Sequence, residues 1–218
     1  MELLAQFIDI VLHLDKHLAL LLAQYDTWIY VILFAIVFCE TGLVVMPFLP
    51  GDSLLFVAGA LAATSGDGFN ITTLIIVLIA AAVLGDNTNY AIGRWAGQRI
   101  MRWGAGSRLF NRAAFDKTHH FYERHGGKTM VLARFLPLVR TFAPFVAGVA
   151  RMPYPRYFAF DFAGAVLWVG SLCLAGYWFG NLPWIKANLS LVIFAIIGLS
   201  LLPMLAGWLR HRLAQRAG

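Results

Sequence analysis

Apolar residues dominate the chain in long runs, and short polar stretches separate these runs. Segments 28–47, 71–93, 157–181 and 187–209 are mostly apolar, and each has the roughly 20 to 25 residues that an α-helix needs to cross a bilayer. Segments 3–24 and 111–125 instead mix apolar and polar residues at helical spacing. This pattern predicts transmembrane helices together with amphipathic helices that lie at the membrane interface.

One apolar segment is interrupted by proline and by charge. Residues 129–150 contain Arg134, Arg140, Pro137 and Pro144 among Phe, Leu, Val and Ala. Arginine in apolar surroundings is costly unless it faces a cavity, a partner or an anionic ligand, and proline interrupts helical hydrogen bonding. Broken backbone is tolerated at membrane depth only where protein or a water-filled cavity receives it. We therefore predict a re-entrant hairpin over about 129–150, with turns at Pro137 and Pro144.

A matching segment comes earlier in the chain. Phe48-Leu-Pro50 and Phe56-Val-Ala-Gly59 correspond to Phe135-Leu-Pro137 and Phe145-Val-Ala-Gly148. The first copy predicts a hairpin over about 40–64 that turns at Pro50 and Gly51. Paired interrupted segments of this kind indicate a repeat-built transporter with its site near the bilayer midplane. Two unrelated proline-containing helix ends are the simpler alternative.

These patterns predict an all-α, polytopic membrane protein with a single membrane domain over residues 1–218. Its parts are an N-terminal amphipathic helix, a first repeat, a basic amphipathic segment, a second repeat and a C-terminal span, at residues 1–27, 28–95, 96–128, 129–181 and 185–209. Basic residues concentrate in the third part and at the C-terminus, which the positive-inside rule places in the cytoplasm. The two repeats, each with a re-entrant helical hairpin, are then inverted relative to one another.

Composition agrees with this pattern and excludes several classes of protein. The chain of 218 residues is 60% hydrophobic and 13% charged, with a net charge of +6, as expected of a polytopic membrane protein rather than a soluble domain. Its basic residues lie in short segments between apolar runs, so we predict no nucleic-acid partner. Cys39 and Cys173 have neither metal-binding nor redox spacing. We expect no cofactor and no metal site.

Ionisable residues within the apolar runs are the candidate functional groups. Glu40 has no capping role and is a functional candidate by default. Asp52 suits a functional role and an N-cap role equally, because the helix dipole favours an acid at a helix start. Asp86 is expected to form an ion pair with Arg94 at the interface, and Asp161 is also expected to be interfacial.

Three stretches together form a recognisable signature: Glu40-Thr-Gly42, Phe48-Leu-Pro-Gly-Asp-Ser53, and Arg134-Phe-Leu-Pro-x-Val-Arg-Thr141 with Ala147-Gly148. They resemble the two motifs of the bacterial DedA family of inner-membrane proteins, which are relatives of the eukaryotic VTT-domain lipid scramblases. The resemblance covers nearly the whole chain. It implies two hairpins that meet inside the bilayer, with Glu40 and Asp52 as essential acids and Arg134 and Arg140 as essential bases.

The resemblance also implies a function, namely lipid transport that depends on the proton motive force. Undecaprenyl phosphate recycling and phospholipid flipping are the leading activities. Because arginine binds phosphate oxygens bidentately, we predict that Arg134 and Arg140 hold the lipid phosphate, while Glu40 and Asp52 couple transport to protons. A cation/proton antiporter or an ion channel that uses the membrane-embedded carboxylates is the alternative.

An enzyme and a homo-oligomer are two further possibilities for a chain of this kind. An intramembrane phosphatase would need a nucleophile or a metal beside the arginines, but the histidines lie in other segments and no Gly-x-Ser-x-Gly motif occurs. We therefore do not expect an enzyme. A bundle of this size leaves room for a homo-oligomer, whose order the sequence does not fix.

Overall fold

The computed structural model describes residues 27–42, 51–65, 69–102 and 127–188, together with residues 18, 20, 191, 192, 195 and 198. Pro50 lies outside the described residues. So do the helix expected over 111–125, most of the N-terminal helix and most of the C-terminal span.

The described residues are helical apart from short connections, which confirms the all-α prediction for this part of the chain. The helices are α1 (Trp28–Gly42), α2 (Gly51–Ala62), α3 (Ile71–Arg102), α4 (Gly127–Ala133), α5 (Pro137–Val149), α6 (Tyr154–Phe179) and α7 (Pro183–Ala187). The chain divides into two compact units. The first unit contains residues 1–30, 50–75 and 171–218, and the second contains residues 31–49 and 76–170.

Among the described helices, α3 and α6 are long and apolar enough to cross a membrane. The apolar stretches Ile71–Ala96 and Tyr154–Phe179 contain 26 residues each, more than the roughly 20 that a span requires. Asn70 caps the start of α3, because its Oδ1 accepts hydrogen bonds from the N–H groups of Thr72 at 2.8 Å and Thr73 at 3.3 Å.

α4 and α5 form a helical hairpin in the second unit and contact each other. Their 7 and 13 residues correspond to lengths of about 10 and 20 Å, so neither helix alone is long enough to cross a bilayer. The connecting turn is formed by residues 134–136. Pro137 occupies the first turn of α5, where its missing N–H removes no helical hydrogen bond.

Pro144 lies inside α5, so the turn predicted at this residue is wrong. Proline has no N–H, and α5 therefore lacks the hydrogen bond that residue 144 would otherwise give to the carbonyl of Arg140. In a membrane protein, neighbouring helices and side chains compensate for one such missing bond. The helix consequently continues to Val149.

The end of α5 is fixed by its backbone. The N–H of Arg151 donates to the carbonyl of Gly148 at 3.1 Å, and the N–H of Met152 donates to the carbonyl of Ala147 at 3.0 Å. These two bonds define a Schellman motif, in which the residue after the C-cap takes a left-handed conformation that favours glycine. Arg151 occupies this position with φ 58°.

A pair of glycines brings α5 close to α3 in the second unit. A Cβ atom at Gly93 would collide with the carbonyl oxygen of Phe145, and a Cβ atom at Gly148 would collide with the carbonyl oxygen of Tyr90. Small residues allow this close backbone approach between membrane helices. The crossing sets the position of the hairpin along α3.

The first unit contains the same reciprocal contact, here between α2 and α6. A Cβ atom at Gly59 would collide with the carbonyl oxygen of Cys173, and one at Gly176 would collide with the carbonyl oxygen of Phe56. Asn181 extends the contact, since its Nδ2 donates to the carbonyl of Ala60 at 3.3 Å. Each unit thus contains a short helix that crosses a long helix at a pair of glycines.

Candidate functional site

The second unit buries charged side chains and exposes apolar ones. Five charged residues are at most 8% exposed: Glu40, Asp86, Arg134, Arg140 and Asp161. Large apolar side chains are exposed along its long helices, among them Ile92, Trp95, Phe158, Phe162 and Leu167. An apolar surface around buried charge is expected of a protein in lipid, where buried ionisable groups indicate a functional site.

Arg140 lies in the first turn of α5 and forms a buried ion pair with Glu40. Its Nη2 donates to Oε1 of Glu40, a residue of α1 that lies 100 positions earlier in the chain. The guanidinium carbon also lies 4.9 Å from the ring centroid of Trp168, which is a cation–π contact. Glu40 is fully buried, so this pairing stabilises its negative charge.

Arg134 lies in the turn of the hairpin, where two carboxylates hold it. Its Nη2 donates to Oδ2 of Asp86 and, at 2.8 Å, to Oδ1 of Asp161. Asp86 belongs to α3 and Asp161 to α6, so the turn is attached to both long helices. Because buried charges are tolerated when they are paired and hydrogen-bonded, these contacts fix the hairpin turn in place.

Neutral polar side chains bind the backbone around these ion pairs. Nδ2 of Asn89 donates to the carbonyl of Thr141 at 2.6 Å and to that of Thr41 at 3.3 Å. This single amide therefore connects α3 to both α5 and α1. The hydroxyl of Tyr157 donates to the backbone carbonyl of Asp86 at 2.9 Å. Both contacts hold backbone next to a charged residue of the site.

A surface cleft of about 470 Å³ opens beside this network, lined by Asn87, Tyr90, Ala91, Arg94, Trp95 and Tyr154. The Tyr90 hydroxyl accepts a hydrogen bond from Nη1 of Arg94 at 2.9 Å and donates to the carbonyl of Met152 at 2.5 Å. The ring of Tyr90 stacks on that of Tyr157 with centroids 4.2 Å apart. A continuous set of contacts thus connects the exposed Arg94 with the buried ion pairs.

Comparison with known proteins identifies the family. A model of the VTT domain matches residues 49–178. The chain is 51% identical to protein DedA of Escherichia coli K12, over 98% of this chain and 97% of that protein. The chain belongs to the DedA family.

Other relatives of this DedA-family chain are named as membrane proteins. An uncharacterised membrane protein of Mycobacterium leprae is 44% identical over 83% of this chain and 80% of that protein. The inner membrane protein YqjA of E. coli is 36% identical over 71% of this chain and 69% of that protein. No solved structure gives a significant match. With its long apolar helices, this DedA-family chain is a membrane protein.

The four charged residues predicted for the site fall in both units. Glu40 and Arg140 form one ion pair of the second unit, and Arg134 lies in the hairpin turn of the same unit. Asp52 lies in the first unit, in the first turn of α2, which Gly51 begins.

Two predictions about acidic residues were wrong. Asp86 does not form an interfacial pair with Arg94, because it is buried and binds Arg134. Asp161, also expected at the interface, is 1% exposed and binds the same arginine. Both aspartates interrupt apolar runs, and the rule that selected Glu40 applies to them equally.

Proposed function

We propose that this DedA-family chain moves a phosphate-bearing lipid, undecaprenyl phosphate or a glycerophospholipid, across the bacterial inner membrane. The observation that carries the proposal is the presence of two buried guanidinium groups, Arg134 and Arg140, in a unit with an apolar surface. Guanidinium binds phosphate oxygens through parallel hydrogen bonds and stays charged at any working pH. The lipid tail stays in the bilayer while the headgroup crosses inside the protein.

In this proposal the chain crosses the membrane several times, with its C-terminus in the cytoplasm, and α4–α5 is a re-entrant hairpin. The short lengths of both helices and the buried arginine in their turn support this arrangement. α1 and α2 have 15 and 12 residues, which is also short for a span. The segment of about 40–64 therefore fits a second hairpin.

The matching glycine contacts support an internal repeat. Phe56 and Phe145 are equivalent in the two sequence copies, and so are Gly59 and Gly148. In each unit, the carbonyl of this phenylalanine faces a glycine of the long helix. The glycine of the sequence copy faces a backbone carbonyl of the same long helix, one turn before the long helix's own glycine. A duplicated hairpin and helix would produce this shared spacing. We propose that the two copies are inverted, an arrangement that suits alternating access.

Proton coupling follows from competition for the arginines. Glu40 binds Arg140, so a phosphate that engages the same guanidinium must displace this carboxylate. Protonation of Glu40 removes its negative charge and favours the phosphate, and protons and headgroup are therefore expected to bind together. We assign this coupling to Glu40 and Asp52, the acids that the family resemblance implies.

A cation/proton antiporter or an ion channel is the second candidate. Buried acidic side chains favour it. Among the described residues of the second unit, the carboxylates of Glu40, Asp86 and Asp161 outnumber the buried arginines. Buried carboxylates also suit a cation pathway. This candidate predicts ion flux in liposomes without lipid movement.

Flipping assays with purified protein in liposomes test the proposal. Labelled undecaprenyl phosphate and labelled glycerophospholipids are compared, with and without a pH gradient. We expect movement of at least one phosphate lipid, stimulation by the gradient, and much slower movement in Arg134→Lys. Arg156→Lys, which changes an exposed arginine, is the matched control. Ion flux without lipid movement would favour the antiporter instead.

A further inference from the structure

Arg134 receives two carboxylates at a single nitrogen atom. Its Nη2 binds Oδ2 of Asp86 and Oδ1 of Asp161, so the two carboxyl groups are neighbours around one nitrogen atom. Asp86 is 3% exposed and Asp161 is 1% exposed. Two like charges this close repel strongly where water does not screen them.

The charges around the two aspartates do not balance if both are ionised. The hairpin contributes Arg134 and Arg140, and α1 contributes Glu40, which already pairs with Arg140. α6 adds Tyr157, whose neutral hydroxyl donates to a backbone carbonyl. Among the described residues, two negative charges would then share the single positive charge of Arg134 as their ion-pair partner. A buried charge without a counter-ion is strongly disfavoured.

One oxygen of the acidic pair also lacks a hydrogen-bond donor. Oδ2 of Asp161 is buried, and no N–H or O–H group of the described residues donates a hydrogen bond to it. Buried polar atoms are normally hydrogen-bonded. A proton on the neighbouring carboxyl group of Asp86 would provide the missing donor.

We propose that Asp86 and Asp161 hold one proton between them, so that Arg134 faces one carboxylate and one carboxylic acid. Two acids that share a site titrate as a pair, and the second proton to leave is retained much more strongly than the first. The three side chains then have no net charge. A proton-binding site is thereby assigned to two residues other than Glu40 and Asp52.

The consequence for transport rests on the proposed function. When a lipid phosphate takes Arg134, the carboxylate that it displaces is left beside the acid without a counter-ion, so the pair takes up a second proton from water. When the phosphate leaves, this proton is released and the carboxylate returns to Arg134. One proton therefore enters and leaves the pair for each headgroup bound.

Infrared spectroscopy of the purified protein in lipid nanodiscs at neutral pH tests the shared proton without a transport assay. A carboxylic acid has a C=O stretching band that ionised carboxylates lack, and the band shifts in D₂O. We expect Asp86→Asn and Asp161→Asn each to lose one such band relative to wild type. Each variant retains one aspartate for Arg134 and should fold. A wild-type band that persists in both variants would overturn the proposal.

A cation held between the two aspartates is the competing explanation. In that case the wild-type protein has no such acid band, and its melting temperature rises with Na⁺ or K⁺ in a manner that both single variants abolish. This result would also overturn the proposal. If the two aspartates share a proton instead, the melting temperature should be the same in Na⁺, K⁺ and choline salts at equal ionic strength.

Transport assays separate the coupling step from the proposed function. Each single Asn variant should keep gradient-stimulated flipping, because one carboxyl group remains to take up a proton, whereas the Asp86→Asn/Asp161→Asn double variant should show weaker stimulation, which Glu40 and Asp52 alone then provide. A double variant with full stimulation would refute the coupling step. If the infrared band behaves as expected but wild-type protein moves no lipid, the shared proton stands and the proposed function fails.

Discussion

Glu40 and Arg140, which lie 100 positions apart in the sequence, form one buried ion pair that attaches α1 to the hairpin helix α5. The contact has two consequences. It holds the hairpin in place, and it occupies a guanidinium group that a lipid phosphate would need. Stability and transport should therefore respond differently to changes in the two residues.

Glu40→Gln should lower the free energy of unfolding by about 3–5 kcal/mol, because it leaves Arg140 buried without its carboxylate. The double variant Glu40→Gln/Arg140→Gln removes both charges and should recover most of this loss. It should nevertheless remain inactive in lipid flipping. Denaturant unfolding in detergent measures the free energy of unfolding of the wild type and of both variants. An active double variant, or one no more stable than Glu40→Gln, contradicts this account.

Gly93→Ala should displace the hairpin from α3, because the new Cβ would meet the carbonyl oxygen of Phe145. Overpacking of this kind costs about 1–3 kcal/mol, and flipping should fall with it. Gly170→Ala is the matched control, since no atom lies within 4 Å of a Cβ at that glycine. Thermal unfolding should show the control equal to or more stable than wild type, and equal melting temperatures for the two variants would argue against the close crossing.

Asn89→Leu should destabilise the second unit by about 1–3 kcal/mol, because the carbonyl groups of Thr41 and Thr141 each lose a buried hydrogen bond. Thr88→Val, one position earlier and exposed, should change the stability by less than about 0.5 kcal/mol. Chemical unfolding of both variants measures the difference. Equal effects would show that the amide of Asn89 does not hold α1 and α5 to α3.

Arg151→Gly should raise the free energy of unfolding by roughly 1 kcal/mol, because a non-glycine residue at φ 58° is disfavoured by about that amount. The same change at Arg156, an exposed position inside α6, should lower stability by about 1 kcal/mol. The opposite signs make the comparison informative. Destabilisation by both glycines would mean that the Arg151 side chain contributes more than its backbone conformation costs.

The sequence was sufficient to predict an interrupted helical segment around 129–150 and to single out its arginines, but it could not supply their partners. Arg134 and Arg140 stand out because each is a charge within an apolar run. Asp86 and Asp161 lie 48 and 27 positions from Arg134, and only the packing of α3 and α6 around the hairpin brings the three together. The local sequence pattern instead favoured Arg94, which is close to Asp86 in the sequence, as its partner.

Pro144 shows a second limit of local pattern. A proline within an apolar segment predicts a break, since the helix loses one hydrogen bond. Whether the helix ends there depends on what surrounds the freed carbonyl, and this is a property of the packed molecule. α5 continues through the proline, and a Schellman motif beyond Val149 ends it.

Lysine substitution in the flipping assay tests the central claim most directly. Arg134→Lys and Arg140→Lys keep the positive charge but remove the planar fork that binds two phosphate oxygens. Because a hydrogen bond to a charged group contributes about 1.5–3 kcal/mol, each change should slow phosphate-lipid flipping by roughly ten- to a hundredfold, in protein that still folds, while Arg156→Lys flips at the wild-type rate. Wild-type flipping rates in both site variants, or ion flux with no lipid movement, would contradict the account.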